Sequence, residues 1–182
     1  GGDAVRNPNT LPTGRNLFGI NAEATPGVRA WDEGKALAKS TLDRYYRKHG
    51  EYPRKVSYTF WAGEFIETEG ATLAQALYML GVAPVRDGMN RVTDLRLIPS
   101  AELGRPRIDV VVQTSGQLRD VAASRLELLT KAVKMVAQSE NDTCGNYVSE
   151  GTVESERILL EKGFSPKEAR ELSTVRVFGG AG

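Results

Sequence analysis

The amino-acid sequence predicts an α/β fold with a mostly parallel sheet and helices on both of its faces. Segments rich in β-branched residues alternate with helical segments of ten or more residues, which is typical of βαβ units. The run Ile108–Val112 is apolar at every position except Asp109, as expected for a strand buried inside a parallel sheet. A chain of 182 residues, 40% hydrophobic and 26% charged, is long enough to bury a proper core.

The first half of the chain predicts one long helix, one strand and a helix followed by a hairpin. Residues 1–28 are rich in Asn, Pro, Thr and Gly, so we expect an extended lead-in there and a single α/β domain over residues 29–182. Apolar spacing, turn residues and helix-ending glycines predict a helix over 28–48 before Gly50, a strand over Lys55–Trp61, a loop over 62–70, a helix over 72–80 closed by Gly81, and strands over 82–85 and 92–98 joined by Asp87-Gly88.

The second half predicts the buried strand, three helices and a last strand. The strand should cover 107–113, the helices 121–138, 152–162 and 166–173, and the final strand 174–178. Connections between parallel strands should be right-handed. Trp31 and Trp61 each stand in a periodic apolar context, so we expect both in the core. Together these elements predict a Rossmann/flavodoxin-like layered domain.

Composition excludes several classes of function. The net charge is +1, from 24 basic and 23 acidic side chains, and therefore gives no attraction to nucleic acid or anionic membrane. The sequence has no apolar run of the ~20 residues that a transmembrane segment needs, and no secretory signal. Its one cysteine, Cys144, rules out an internal disulfide and a cysteine-rich metal site. We expect a cytoplasmic protein.

The two ends of the chain suggest a fragment of a longer protein. The sequence opens with Gly1-Gly2-Asp3, and it closes with Gly-Gly-Ala-Gly directly after the strand predicted at its end. We therefore expect that the chain was taken from a larger polypeptide. Sequence signatures of a Walker lysine loop, a dinucleotide-binding glycine loop, a nucleophile elbow and a zinc-protease helix are missing.

An acidic segment follows the first predicted strand and is the strongest chemical candidate. Glu64, Glu67 and Glu69 lie within six residues at the carboxyl end of that strand. Carboxylates there can accept protons or guide a divalent metal ion. The alternative is a solvated loop whose glutamates stabilise the start of the next helix, where negative charge is favourable.

A second candidate follows the buried strand. In open α/β sheets, ligands bind beyond the carboxyl ends of the strands, and Thr114, Ser115 and Gly116 occupy that position. Hydroxyl and free N–H groups there suit a carboxylate or phosphate, and Arg119 can pair with a carboxylate through two hydrogen bonds. Alternatively, Ser115 only caps the following helix, and Arg119 is surface charge.

Several collinear motifs resemble the large subunit of magnesium and cobalt chelatases, the H or CobN-type family. The resemblance covers nearly all of residues 10–178, and its longest motif is Glu102-Leu-Gly-Arg-Pro-Arg-Ile-Asp-Val-Val-Val112. Others are Pro12-Thr-Gly-Arg-Asn-Leu17, Gly50-Glu-Tyr-Pro53, a loop from Trp61 to Thr68-Glu-Gly70, Ala74-Gln-Ala-Leu77, Leu97-Ile-Pro99, Ser115-Gly116 and Arg119-Asp120.

The resemblance implies a tetrapyrrole, porphyrin or corrin, and a divalent metal, cobalt or magnesium, that is inserted into the ring or removed from it. It places Glu64, Glu67 and Glu69 near the metal path as catalytic residues, with Thr114, Ser115, Gly116 and Arg119 binding the tetrapyrrole. ATP would bind to ATPase-type partner subunits, not to this chain. The open alternative is a non-catalytic tetrapyrrole-binding or partner-docking scaffold, and we do not expect the fragment to be active alone.

The sequence also departs from the family pattern near the predicted site. The family usually has an Asn-Phe segment followed by Arg-Lys-His-Ala, whereas this chain has Asn146-Tyr-Val-Ser-Glu-Gly-Thr152. After Trp61 the loop reads Ala-Gly-Glu-Phe in place of Gly-Thr-Asp-Asn. These changes predict a divergent paralogue.

Overall fold

The structure is a computed structural model that describes residues 21–179. In this part of the chain, five strands form two sheets: β1 (Lys55–Phe60), β2 (Val82–Arg86), β3 (Val92–Leu97), β4 (Asp109–Thr114) and β5 (Val177–Gly179). The main sheet is parallel, with the strand order β1–β4–β5, and β2 and β3 form a separate antiparallel hairpin. The predicted α/β class and mostly parallel sheet are confirmed. The handedness of the connections stays a prediction.

Over residues 21–179, eight α-helices surround the sheets: α1 (Val28–His49), α2 (Ala62–Thr68), α3 (Ala71–Leu80), α4 (Ser100–Leu103), α5 (Gly116–Val121), α6 (Ala123–Ala137), α7 (Tyr147–Glu161) and α8 (Pro166–Leu172). Residues 1–20 of the predicted lead-in lie outside the described residues, and its described part includes a short 3-10 helix, Ala22–Ala24. As predicted, α1 ends at Gly50, whose φ of 75° is the left-handed conformation that glycine adopts readily.

Three predicted elements differ from the structure. The segment 62–70 is not a loop, because α2 occupies most of it and buries Phe65 beside Phe60, with ring centroids 6.2 Å apart. The helix predicted over 121–138 corresponds to α6, but a separate helix, α5, precedes it, and the two meet at Ala122 in a non-helical conformation (φ −137°, ψ 35°). Helix α7 begins at Tyr147, five residues before the predicted start at 152, because the Asn146 side chain accepts a hydrogen bond from the Ser149 N–H and caps the helix.

The core lies between the main sheet and helices α3 and α6. Alternate residues of β4, Val110 and Val112, are fully buried on this side because successive side chains of a strand point to opposite faces. Helix α3 packs against β1, β4 and α1, and α7 packs against β4. The buried side of α3 extends almost all round the helix, as its apolar sequence predicts.

Buried arginines hold the amino-terminal edge of the sheet. The Arg107 Nε donates to Asp142 Oδ1 at 2.7 Å, and its terminal nitrogens donate to the carbonyls of Gly81 and Ile98 at 2.6 Å. The Arg176 Nε donates to Asp109 Oδ1 at 2.8 Å. Both ion pairs are nearly inaccessible to solvent, and each joins segments that are distant in sequence. They therefore fix the strands that carry the candidate site.

Candidate functional site

The candidate site lies at the carboxyl edge of the main sheet, where the three strands end level with one another. Phe60 pairs with Thr114, and Thr114 pairs with Gly179. The segments that leave β1 and β4 therefore start side by side, and the Ser115 N–H donates to the Phe60 carbonyl at 3.4 Å. Helices α2 and α5, which follow these segments, pack against each other. The two candidate segments predicted from the sequence, one after β1 and one after β4, are thus neighbours in space.

Ser115 caps helix α5, and this structural role accounts for its hydroxyl. The Ser115 Oγ accepts a hydrogen bond from the Leu118 N–H at 3.1 Å. Thr114 is buried, with 3% of its surface exposed, and its hydroxyl donates to the Ser115 carbonyl at 3.3 Å. Gly116 begins α5 and is partly exposed. The capping interpretation of Ser115 is therefore correct, and the polar group that remains available at this turn is its accessible backbone.

Arg119 lies on the exposed side of α5 and reaches the end of β5. A Cβ atom placed on Gly179 would collide with the Arg119 guanidinium, so the guanidinium lies against the Gly179 backbone. Arg119 also lines a cleft of about 380 Å³ with Leu126 and Val177. Among residues 21–179, no carboxylate forms an ion pair with Arg119, which is exposed. Arg125, by contrast, is buried and donates to the Thr25 carbonyl at 2.9 Å.

Trp61 is the residue that sequence reasoning placed wrongly. It was expected in the core, yet 59% of its surface is exposed. It precedes α2 at the carboxyl edge, at the N-cap position, and its side chain makes no capping hydrogen bond. Strand alternation carries the signal that was available: Phe60 takes the buried side at the end of β1, so the next residue faces outward.

Glu64 lies in the first turn of α2 and is exposed. Its carboxylate accepts a hydrogen bond from the Thr72 hydroxyl at 3.1 Å, which links α2 to the first turn of α3. The next glycine, Gly63, has open space where a Cβ would lie. Glu64 is therefore anchored at one oxygen and, like Trp61, is exposed.

Glu69 ends α2 in a left-handed conformation, with φ of 56°. Its carbonyl accepts a hydrogen bond from the Gly27 N–H at 3.1 Å, and its carboxylate lies over Gly27, the residue that precedes helix α1. Negative charge is favourable at a helix N-terminus, so Glu69 stabilises α1. Glu67 is exposed between the two.

The three glutamates do not converge. In residues 21–179, no group of three or more His, Cys, Asp or Glu side chains is arranged to hold a metal ion. Glu64 faces α3 and Glu69 faces α1, so the short sequence spacing places them on different neighbours. None of the α-helices in this part of the chain is long and apolar enough to span a membrane.

Two groups at the opposite edge have shifted proton affinities, and both are structural. Burial lowers the pKa of Arg105 to about 10, and its guanidinium donates to the Tyr78 and Met79 carbonyls at the end of α3. For Asp142, burial alone would raise the pKa, but hydrogen bonds from Arg107 and Ser139 and the Arg107 charge lower it overall. Shifted groups often mark active sites, yet these two form the contacts that hold the fold together.

Comparison with known proteins gives one consistent family. All 182 residues match the family described as CobN/Magnesium Chelatase. The chain is 40% identical over 182 residues to the chloroplastic magnesium-chelatase subunit ChlH of Oryza sativa subsp. indica. It is 36% identical over 173 residues, 94% of the chain, to the aerobic cobaltochelatase subunit CobN of a Sinorhizobium species.

A solved structure has the same fold. The catalytic subunit of cobaltochelatase from Mycobacterium tuberculosis superimposes with a TM-score of 0.76 and 38% sequence identity over 87% of this chain. The match covers 13% of that much longer chain. The chain likewise spans 13% and 14% of the rice and Sinorhizobium relatives.

Proposed function

Because the chain belongs to the CobN/magnesium chelatase family, we propose that it is the part of a chelatase large subunit that contacts a tetrapyrrole at the carboxyl edge of its parallel sheet. One observation carries this proposal: an exposed tryptophan, an accessible carboxylate and an accessible guanidinium lie on the segments that leave this edge. Trp61 and Glu64 follow β1, and Arg119 follows β4 and reaches the end of β5. With a flat ring that has acidic substituents, the tryptophan would stack on the ring, the guanidinium would pair with a substituent and the carboxylate would accept a proton.

Trp61 supplies the apolar contact. A tetrapyrrole is flat and largely apolar, so its binding site needs apolar walls. A tryptophan with 59% of its surface exposed still has most of a ring face to offer, and stacked aromatic rings are stabilised beyond the area that they bury. Arg119 would pair with a carboxylate on the rim of the ring, beside the backbone of the Ser115-Gly116 turn. The Thr114 hydroxyl donates a hydrogen bond to the Ser115 carbonyl in this turn.

The carboxylates supply proton transfer. Insertion of a divalent metal ion into the ring breaks two pyrrole N–H bonds, and each released proton needs an acceptor. Glu64 is the nearest exposed carboxylate to Trp61 in sequence, and Glu67 and Glu69 follow along α2. Removal of a metal runs the same path backwards, with the carboxyl groups returning protons to the ring nitrogens. The metal, cobalt or magnesium, is a substrate in either direction.

The whole protein's activity would also need partners. In this proposal the ATP-hydrolysing step belongs to ATPase-type subunits that work with the full-length large subunit. The predicted cytoplasmic location stays a prediction. Because Glu64 and Glu69 point to different neighbours, the second candidate function is a non-catalytic scaffold that binds the ring or docks partners while the carboxylates that accept protons lie elsewhere in the polypeptide.

Two experiments test the proposal. The purified chain is titrated with free-base porphyrin, haem and a corrinoid, followed by absorbance. Saturable binding that Arg119→Ala weakens supports a ring contact here, whereas no binding to any of the three contradicts it. In the full-length protein, Glu64→Gln and Glu69→Gln should each slow metal exchange at least tenfold, with Glu51→Gln as an exposed control. Unchanged exchange in both variants, with the ring still bound, would favour the scaffold.

A further inference from the structure

The edge strand β5 is unprotected on its outer side. In residues 21–179 it pairs only with β4, and the main sheet has three strands, whereas sheets average five to six. The Arg176 carbonyl accepts a hydrogen bond from the Val112 N–H at 2.8 Å. Because successive residues of a strand direct their backbone groups to opposite edges, the Val177 N–H and carbonyl face away from β4.

Nothing in the strand blocks pairing at this edge. Natural proteins protect edge strands with lysine, proline or a bulge, and β5 reads Val-Phe-Gly. The opposite edge of the same sheet is different: β1 presents Lys55, Ser57 and Thr59 on its exposed side. The unpaired backbone groups of β5 thus lie among apolar side chains, which would strengthen pairing with another strand.

An apolar cleft lies on each face of β5. On the face toward α6, the cleft of about 380 Å³ is lined by Val177, Leu126 and Ala123. On the other face, a cleft of about 430 Å³ lies between the sheet, α7 and α8. Its apolar side chains are Val111, Ile158, Leu159, Leu172, Val175 and Phe178.

The second cleft leaves large apolar side chains in water. Phe178 is 48% exposed, Leu172 is 44% exposed and Ile158 is 40% exposed. Helix α7 is 15 residues long, yet its only buried residue is Val148 in the first turn. Contiguous apolar surface of this kind marks an interaction site, and here it adjoins unpaired backbone groups.

We infer that a further β-strand adds to the free edge of β5 in the full-length polypeptide. Its backbone pairs with Val177, and its alternate side chains fill the two clefts. A strand that fills apolar clefts on both faces is an uninterrupted run of apolar, β-branched residues. The strand comes from the same polypeptide, because the chain spans only 13–14% of its relatives and most of the family's chain is therefore available to cover this edge.

Amide hydrogen exchange tests this directly. In the isolated 182-residue chain the Val177 amide should exchange rapidly, and in the full-length protein it should exchange at least about 100-fold more slowly. The Val112 amide, bonded inside the sheet, should be slow in both and serves as the control. Equal rates for Val177 in the two proteins would overturn the inference. Protection that rises with the concentration of the isolated chain would assign the edge to a second copy and would also overturn it.

A matched pair of proline variants gives a second readout. Val177→Pro removes an N–H that faces the free edge, so it should shift the thermal midpoint of the isolated chain by less than about 3 °C and lower that of the full-length protein by more. Phe178→Pro removes an N–H that faces β4 and should lower both midpoints. A full-length protein whose midpoint Val177→Pro leaves unchanged would contradict the added strand.

Discussion

Replacing Trp61 by alanine should weaken porphyrin binding about 20-fold. A tryptophan side chain has up to ~250 Å² of surface, and 59% of the Trp61 surface is exposed, so roughly 150 Å² is available. Stacking one face of the indole on a flat ring covers about half of this area. At ~25 cal/mol per Å² the loss is about 2 kcal/mol, which is a factor of 20 to 30 in Kd.

The effect should fall on binding and not on folding. The Trp61 side chain makes no capping hydrogen bond and is largely exposed, so its removal takes little from the core. Trp61→Phe keeps an aromatic face and should lose about half of the binding free energy that alanine loses. The matched control is Trp31→Phe, which should leave Kd unchanged. Trp31 packs edge-to-face on Tyr78, with ring centroids 6.1 Å apart.

The chain's own fluorescence gives the assay. The sequence contains two tryptophans, so the Trp31→Phe variant leaves Trp61 as the single tryptophan reporter. Porphyrin should quench that variant strongly and saturably, and absorbance gives Kd independently for every variant. If porphyrin binds and Trp61→Ala changes Kd by less than twofold, the stacking contact is refuted while the proposed function stands. If no variant binds porphyrin, the proposed function itself is contradicted.

Stability measurements test the contacts that hold the site in place. Arg107→Met should lower the free energy of unfolding by about 3–5 kcal/mol in urea, since it strands a buried carboxylate, whereas Lys131→Met, in an exposed pair with Asp94, should cost under ~1 kcal/mol; equal losses would contradict this. The lowered pKa of Asp142 stabilises the fold above the unfolded-state value of ~3.9, and this contribution is lost as pH falls through the folded-state value. Asp142→Asn should therefore flatten the acid part of the stability curve, and an unchanged curve would exclude the linkage. Gly81→Ala should cost about 1–3 kcal/mol in the same urea assay, because φ is +85° and the added Cβ would meet the Arg107 guanidinium; a neutral result would contradict the strain.

Local sequence signals predicted the regular elements because those elements follow local rules. Helix α1 ends at Gly50 because glycine adopts a left-handed backbone conformation that other residues avoid. The hairpin turns at Asp87-Gly88, where the Asp87 carboxylate accepts hydrogen bonds from the Met89 and Arg91 N–H groups. Helix α2 escaped prediction because it is 7 residues long, which is too short for a helical period to stand out. Its stability comes from the burial of Phe65 against Phe60, a contact that only the folded chain provides.

The location of the candidate site was predictable, whereas its internal arrangement was not. Parallel strands end at one edge, so the segments after β1 and β4 had to meet there. The spacing of Glu64, Glu67 and Glu69 did not say whether they converge, because that depends on where α1 and α3 pack against α2. The apolar context led to the wrong prediction that Trp61 lies in the core, because a periodic pattern near a strand end does not show which face of the sheet a residue takes.

The two edges of the sheet differ in how their charged side chains are placed. At the amino-terminal edge, Arg107 and Arg176 form ion pairs with buried carboxylates, so substitutions of these arginines should change the stability of the fold. At the carboxyl edge, Trp61, Glu64 and Arg119 are exposed and contribute little to the core. A rigid scaffold that holds accessible groups is what a binding site requires. A variant at the carboxyl edge that loses ligand while its unfolding curve is unchanged therefore reports on binding alone, which makes this edge the decisive place to test the family's chemistry in this chain.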